Sequence, residues 1–196
     1  MVKKELQKFE KKIADAFDNA EIKAPIHLYD NNEDQMIEIF EDIDIENDWV
    51  CCTWRNHYQG LLKGIPPEVM EANIREGKSM VANLPQYKFI CSSIVGGIPS
   101  IATGIALSIK LQAKKNRVWC WVGDMTAETG VFHEAYKYSR RHNLPLEFVI
   151  EDNNMSTNTP TDETWCGLKT DHPEDVFYYS YERGYPHHGT GTWVLF

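Results

Sequence analysis

Apolar and polar positions along the chain predict two kinds of segment. In residues 1–20 and 31–46 the apolar residues recur near helical spacing between charged ones, which predicts two solvated helices. The first stripe is Leu6, Phe9, Ile13 and Phe17, and the second is Met36, Ile37, Phe40 and Ile43. Because these stripes could pack on the same domain or face another chain, residues 1–45 form an N-terminal helical part that could contact a partner.

The second half alternates between strand and helix patterns. Pro99 can open a helix at its first turn, and this helix continues through Ile109. Strands are predicted at 117–122, 146–150 and 176–181, with a helix at 128–142. Short connections between successive strands and helices imply right-handed crossovers and a parallel sheet. The predicted fold class is α/β, with a mostly parallel sheet and helices on both faces.

One uncharged run, residues 89–109, approaches the length of a membrane span, which needs ~20 mostly apolar residues. Serines, glycines and a proline interrupt it, so a loop leading into a buried helix is favoured. We expect no membrane association.

Length and charge limit the classes of protein. A chain of 196 residues fits a single domain, with 46–196 as its core. The formal net charge of −9 argues against nucleic-acid binding. Five cysteines without a CxxC pattern indicate neither a disulfide framework nor a zinc cluster. A cytoplasmic location is therefore expected.

Polar residues follow two of the predicted strands. Asp124 comes directly after one, and Asn153 and Asn154 come after the next. If the strands are neighbours, these side chains share a crevice at the carboxyl ends of the sheet, where α/β proteins bind ligands. Carboxylate and amide oxygens suit Mg²⁺, and the helix after Asp124 would present its N-terminus to a phosphate. The alternative is that Asp124 caps a helix and the two asparagines form a turn.

The stretch 123–154 resembles the thiamine-diphosphate motif, Gly-Asp-Gly followed by Asn-Asn. It is most similar to alpha subunits of 2-oxo acid dehydrogenases of the pyruvate, branched-chain and acetoin type. The matching positions are Gly130, residues 132–136 and Leu144-Pro145, and upstream Trp54-Arg55-Asn56-His57, residues 77–80, residues 94–96 and residues 99–107. The resemblance covers roughly residues 45–160 and implies a diphosphate-binding domain.

The resemblance implies a role for each matching residue. Asp124, Asn153 (with Asn154 as the alternative) and the backbone carbonyl of Met155 would hold Mg²⁺. Arg55 would pair with a phosphate, and Trp54 would cover the cofactor. Together with the three cation ligands, the residues implied to contact the cofactor are Trp54, Arg55, Ser93, Val95, Asp124, Met125, Thr126, Asn153 and Met155.

Three histidines are candidates for acid–base work, since imidazole titrates near working pH. His57 would lie near the diphosphate or the reacting carbon. His187 or His188, in a stretch similar to one that follows a strand in the family, would reach the substrate. A structural histidine and a solvated loop are the alternatives.

The sequence departs from the family pattern in ways that bear on function. Met125 replaces the second glycine of the motif, Val81 stands where histidine is common, and only 42 residues follow Asn154. Motifs are present for the diphosphate domain alone. The resemblance therefore implies a separate beta-type subunit that carries the pyrimidine-binding domain and the activating glutamate, in a heterotetramer. A transketolase-like subunit, a non-catalytic cofactor-binding subunit and another Mg²⁺-phosphate protein are the alternatives.

Overall fold

The computed structural model describes residues 1–168 and 170–195, so Lys169 and Phe196, which the predicted domain includes, lie outside the described residues. The helices are α1 (Lys3–Asp18), α2 (Glu33–Phe40), α3 (His57–Leu62), α4 (Pro67–Arg75), α5 (Gly97–Leu111), α6 (Asp124–Ala127), α7 (Gly130–Arg141) and α8 (Thr161–Thr164). The strands are β1 (Trp49–Cys52), β2 (Asn83–Leu84), β3 (Phe89–Cys91), β4 (Val118–Gly123), β5 (Leu146–Asp152), β6 (Met155–Ser156), β7 (Thr159–Pro160) and β8 (Phe177–Ser180).

Six strands form one sheet in the order β2-β3-β1-β4-β5-β8. All neighbours in it are parallel except β2 and β3. From β1 the chain continues to β3 on one side, whereas from β4 it continues to β5 on the other. The boundary between β1 and β4 is therefore the topological switch point, where open α/β sheets form a ligand crevice.

Both faces of the sheet are buried, as the near-continuous apolar strands require. Successive side chains of β4 point to opposite faces. Trp119 and Trp121 pack with α1 to α4, while Cys120 and Val122 pack with α5 and α7. This arrangement confirms the predicted fold class, with helices on both faces of a mostly parallel sheet.

Most predicted elements are present with shifted ends. The uncharged run 89–109 contains β3, a loop and the greater part of α5, which begins at Gly97 rather than Pro99. Within the described residues no helix has both the length and the apolar content to cross a membrane. The predicted helix 31–46 ends at Phe40, and 128–142 begins at Gly130. Helices α1 and α2 bury their apolar stripes in the same core as β1 and β4.

Candidate functional site

A narrow cleft lies at the carboxyl ends of β1, β4 and β5. The predicted adjacency of the two motif strands is confirmed, since β4 pairs with β5 in parallel and Gly123 faces Glu151. Eight predicted residues line the cleft: Trp54, Arg55, Val95, Asp124, Met125, Thr126, Asn153 and Met155. Five further lining residues were not predicted: Thr53, Gly123, Glu151, Ser156 and Tyr181.

Asp124 is the first residue of the short helix α6 and is buried. Its carboxylate accepts a hydrogen bond from the Thr161 hydroxyl. Gly123, not Asp124, occupies the N-cap position, so the helix-cap alternative does not describe this residue. The long helix α7 begins only at Gly130, capped by Thr129. The helix expected after Asp124 is thus the single turn α6, whose first residues Asp124, Met125 and Thr126 line the cleft, and it is separate from the helix predicted over 128–142.

The amide of Asn153 is held in one orientation. Its Nδ2 donates to the Tyr181 hydroxyl at 3.1 Å, and its Oδ1 accepts from the Met155 amide at 3.1 Å. The second lone pair of Oδ1 is thereby available to a ligand. Asn154 instead accepts from the Asp162 amide at 3.2 Å and does not line the cleft.

Arg55 presents an unused donor. Its Nε donates to the Leu28 carbonyl at 3.0 Å, and its guanidinium lies over the Tyr29 ring, 5.8 Å from the centroid. The side chain is only 8% exposed, and Nη2 has no hydrogen-bond partner among the described residues. A buried donor without a partner is costly, and because Arg55 also lines the cleft, its positive charge suits an anion there.

Glu151 forms part of the cleft wall and is tied to several polar side chains. It accepts hydrogen bonds from Tyr29, Tyr179 and Asn32. Burial raises its pKa to about 7, against the opposing effect of the hydrogen bonds from Tyr179 and Tyr29 and of the nearby Arg55 charge.

His57 does not reach the cleft. It is the first residue of α3, completely buried. Its Nδ1 lies 2.7 Å from the Glu10 carboxylate and its Nε2 lies 2.9 Å from the Ser79 hydroxyl. Carboxylate, imidazole and hydroxyl in a row can activate a nucleophile, but Ser79 is itself only 2% exposed. The arrangement ties α1 to the loop before β2 and offers no access to a substrate.

The other predicted residues lie beside the cleft. His187 and His188 line a separate cavity of about 510 Å³. His187 nevertheless contacts the cleft residue Trp54, with ring centroids 6.0 Å apart, and lies 3.4 Å from His27 between their Nε2 atoms. Ser93 is exposed on the loop before α5 and does not line the cleft.

The donors of the cleft suit a divalent cation and a phosphate. One carboxylate, one amide oxygen and a nearby carbonyl leave coordination positions for phosphate and water, as Mg²⁺ prefers. The described residues contain no cluster of three or more His, Cys, Asp or Glu side chains arranged for a metal. The cleft volume of about 40 Å³ holds about three waters, so it matches an ion and a phosphate rather than a whole cofactor.

The residues that were missed share weak sequence signals. Glu151 precedes Asp152-Asn153 at a strand end, so its place beside Gly123 follows once the strands are known to pair. Tyr29 lies 122 residues before Glu151 in the chain, and Tyr181 lies 30 residues after it. Their contribution depends on tertiary packing, which single-sequence patterns do not encode.

The fold and the cleft define an α/β protein with a polar crevice at its switch point, whose side chains suit a divalent cation and a phosphate. The model of a family described as dehydrogenase E1 component matches residues 1–167. The chain belongs to this family.

Two relatives show the extent of the likeness. The chain is 29% identical over 166 residues to the alpha subunit of acetoin:2,6-dichlorophenolindophenol oxidoreductase from Bacillus subtilis, covering 80% of this chain and 50% of the relative. It is 26% identical over 164 residues to pyruvate dehydrogenase E1 component subunit alpha from Rickettsia typhi, covering 79% and 50%. The chain thus spans about half the length of these curated relatives.

Among solved structures, a protein described as a thiamin diphosphate-dependent enzyme from Mycobacterium smegmatis superposes with a TM-score of 0.47 and 17% identity, over 70% of this chain and 23% of that chain. A likeness of this size does not bear on the function.

Proposed function

We propose that this chain is the alpha subunit of a two-component enzyme that uses thiamine diphosphate and Mg²⁺ to act on a 2-oxo acid. One observation carries the proposal. Asp124, Asn153 and Arg55 line one cleft at the switch point of the sheet, and the buried Nη2 of Arg55 has no hydrogen-bond partner among the described residues. The names of the relatives, which are alpha subunits acting on pyruvate or acetoin, support the same reading.

In this proposal Asp124, Asn153 and the Met155 carbonyl hold the cation, and Arg55 pairs with a phosphate oxygen through its fork of donors. Trp54 covers the cofactor, while the backbone of Ser93 and Val95 faces its aminopyrimidine ring. When bound, the cofactor supplies a carbanion that adds to a carbonyl and stores the electrons released as the adjacent bond breaks. The protein contributes anchoring, orientation and proton control.

A second chain is part of the proposal. The cleft, with a volume of about 40 Å³, would hold an ion and a phosphate, and in this proposal another chain covers the rest of the cofactor. We propose a beta-type subunit that provides the pyrimidine-binding domain and the activating glutamate, in a heterotetramer. We also propose one diphosphate-binding domain over residues 1–196 and a cytoplasmic location.

Proton transfer is assigned to the His187–His188 pair rather than to His57. His187 contacts Trp54 at the cleft, whereas His57 is sealed between Glu10 and Ser79. A His57→Ala variant therefore cannot distinguish a catalytic from a non-catalytic subunit.

The proposal is tested by calorimetric titration of thiamine diphosphate into the purified chain, with and without Mg²⁺. We expect binding that requires Mg²⁺ and weakens on the order of 100-fold in Asp124→Ala, because the carboxylate ligand is lost. Asp171→Ala, which removes an exposed aspartate outside the cleft, serves as the matched control and should bind as the wild type does.

Two results would contradict the proposal. The first is no binding by the folded wild-type chain, either alone or in complex with a co-purified partner. The second is binding that Asp124→Ala leaves unchanged.

A further inference from the structure

The position of the Arg55 side chain is fixed by contacts from another segment of the chain. Residues 26–30, between α1 and α2, run alongside it. The Leu28 carbonyl accepts from Nε at 3.0 Å, and the Tyr29 ring lies under the guanidinium. The orientation of the unpartnered Nη2 is therefore set by a segment that lies outside every motif recognised in the sequence.

Tyr29 is the centre of this arrangement. Its hydroxyl has one proton to donate and shares it between the Arg55 carbonyl oxygen at 3.1 Å and one carboxylate oxygen of Glu151 at 2.8 Å. The Gln59 amide donates to the same hydroxyl. At the other end, the Tyr29 backbone amide donates to the Glu10 carboxylate of α1 at 2.8 Å. One side chain thus joins the main chain of Arg55 to the wall of the cleft.

We propose that Tyr29 is a positioning residue for the phosphate-binding Arg55, and that its hydroxyl and its ring hold the Arg55 backbone and guanidinium at the cleft that Arg55 lines. The inference rests on the proposed function of the cleft. Tyr29 does not line the cleft. It would therefore act on a bound anion only through Arg55. Pre-organising a donor raises affinity by removing the cost of ordering it on binding.

A residue that only stabilises the fold would behave differently. Tyr58 is the matched comparison, because its ring stacks on that of Tyr29 with centroids 5.0 Å apart and both are almost completely buried. The Tyr58 hydroxyl donates to Glu33 at 3.0 Å, away from Arg55. Removing either hydroxyl therefore perturbs the same packing, but only one removal releases Arg55.

The test is a double-mutant cycle on the affinity for thiamine diphosphate with Mg²⁺, measured by calorimetry on Tyr29→Phe, Arg55→Ala and the double variant. We expect Tyr29→Phe to weaken binding about tenfold, the usual effect of one lost hydrogen bond to a constrained partner. In the Arg55→Ala background the same substitution should have no further effect, since coupled residues are not additive. Tyr58→Phe should bind as the wild type does.

The outcomes separate this inference from the proposed function. If the wild type binds and Arg55→Ala weakens binding, but Tyr29→Phe has no effect or its effect multiplies with that of Arg55→Ala, the positioning role is wrong and the proposed function stands. If the folded wild type binds neither alone nor in complex with a co-purified partner, both are wrong. Should Tyr29→Phe not fold, Gln59→Met, which removes the amide that donates to the Tyr29 hydroxyl, takes its place with the same expectation.

Discussion

Three buried polar residues, Glu10, His57 and Ser79, tie helix α1 to the loop that precedes β2. Each is no more than 2% exposed, and the imidazole bonds both neighbours. A buried carboxylate that loses its partner leaves an uncompensated polar group, which costs several kcal/mol. At the scale of single residues, therefore, the stability of the N-terminal part depends on this contact.

His57→Ala should lower the free energy of unfolding by about 3 kcal/mol, measured by urea denaturation. Ser79→Ala removes the bond at only one end of the imidazole and should cost about 1 kcal/mol. Affinity for thiamine diphosphate with Mg²⁺, measured well below the melting temperature, should stay within about threefold of the wild type. Loss of binding by a His57→Ala protein that is fully folded would restore the cofactor-contact role inferred from the sequence.

His57 lies outside the cleft although its neighbours Trp54 and Arg55 line it, and the reason is physical. Trp54 and Arg55 follow β1 directly and so lie at the carboxyl end of the sheet. His57 begins α3, and this first turn directs it towards α1. A motif fixes which residues are close in the chain, but the direction of each side chain depends on where the strand ends and the helix begins.

At the scale of elements, the junction between α6 and α7 shapes the cleft. The Thr129 hydroxyl accepts from the Phe132 amide at 3.3 Å and caps α7. The same hydroxyl donates to the Thr126 carbonyl at 2.7 Å, on the cleft side of the break. Thr129 thus stops one helix and starts the next, which keeps α6 to a single turn above Asp124.

Thr129→Ala should destabilise the protein by about 1 kcal/mol, the usual effect of losing an N-cap side chain. Thr129→Ser keeps the hydroxyl and should restore most of the loss. Chemical denaturation of the three proteins at 25 °C checks this expectation. Equal stability of the alanine and serine variants would mean that the cap contributes nothing.

Long elements with a clear period could be predicted from the sequence, as could the shorter α2 and β8, whereas β1 and β3 could not. Helices α1, α5 and α7 and strands β4 and β5 were predicted, with ends displaced by a few residues. Strands β1 and β3 have four and three residues, too few for a period to be recognised. Yet β1 leads to Arg55 at the cleft. Without a prediction of β1, the sequence indicated the residues of the site but not their arrangement.

At the scale of the whole molecule, two distant segments meet beside the cleft residue Trp54. Residues 26–31 and 182–190 form a clasp in which the Gly189 amide donates to the Ile26 carbonyl and the Gly184 amide donates to Asp30, at 2.9 and 2.8 Å. At its centre the Nε2 atoms of His27 and His187 lie 3.4 Å apart. Two segments whose histidines are 160 residues apart in the chain are thereby joined beside Trp54, a connection that no local sequence pattern could reveal.

Two histidines of the clasp, His27 and His187, are held neutral because burial lowers the pKa of each. Burial lowers the pKa of His27 to about 2, aided by the charges of His187, Arg55, His57 and His188. Burial likewise lowers the pKa of His187 to about 4, aided by Arg55, His188 and Arg183. In the unfolded chain both titrate near pH 6.5. Between pH 6.5 and 4 the unfolded state therefore binds more protons, and stability must fall as the pH falls.

Over this range each histidine should lower the free energy of unfolding by up to about 1.4 kcal/mol for every unit that the pH falls. Glu151 acts in the opposite direction, because its pKa is raised to about 7, so the folded state takes up its proton first. The measurement is therefore the free energy of unfolding of the wild type and of each variant, from pH 6.5 to 5.

The free energy of unfolding of His27→Gln and of His187→Gln should each fall less steeply with falling pH than that of the wild type. His133→Gln, on the exposed face of α7, should follow the wild type. Parallel profiles for all four proteins would mean that both histidines accept protons as readily in the folded clasp as in the unfolded chain, and the clasp would then not respond to acid.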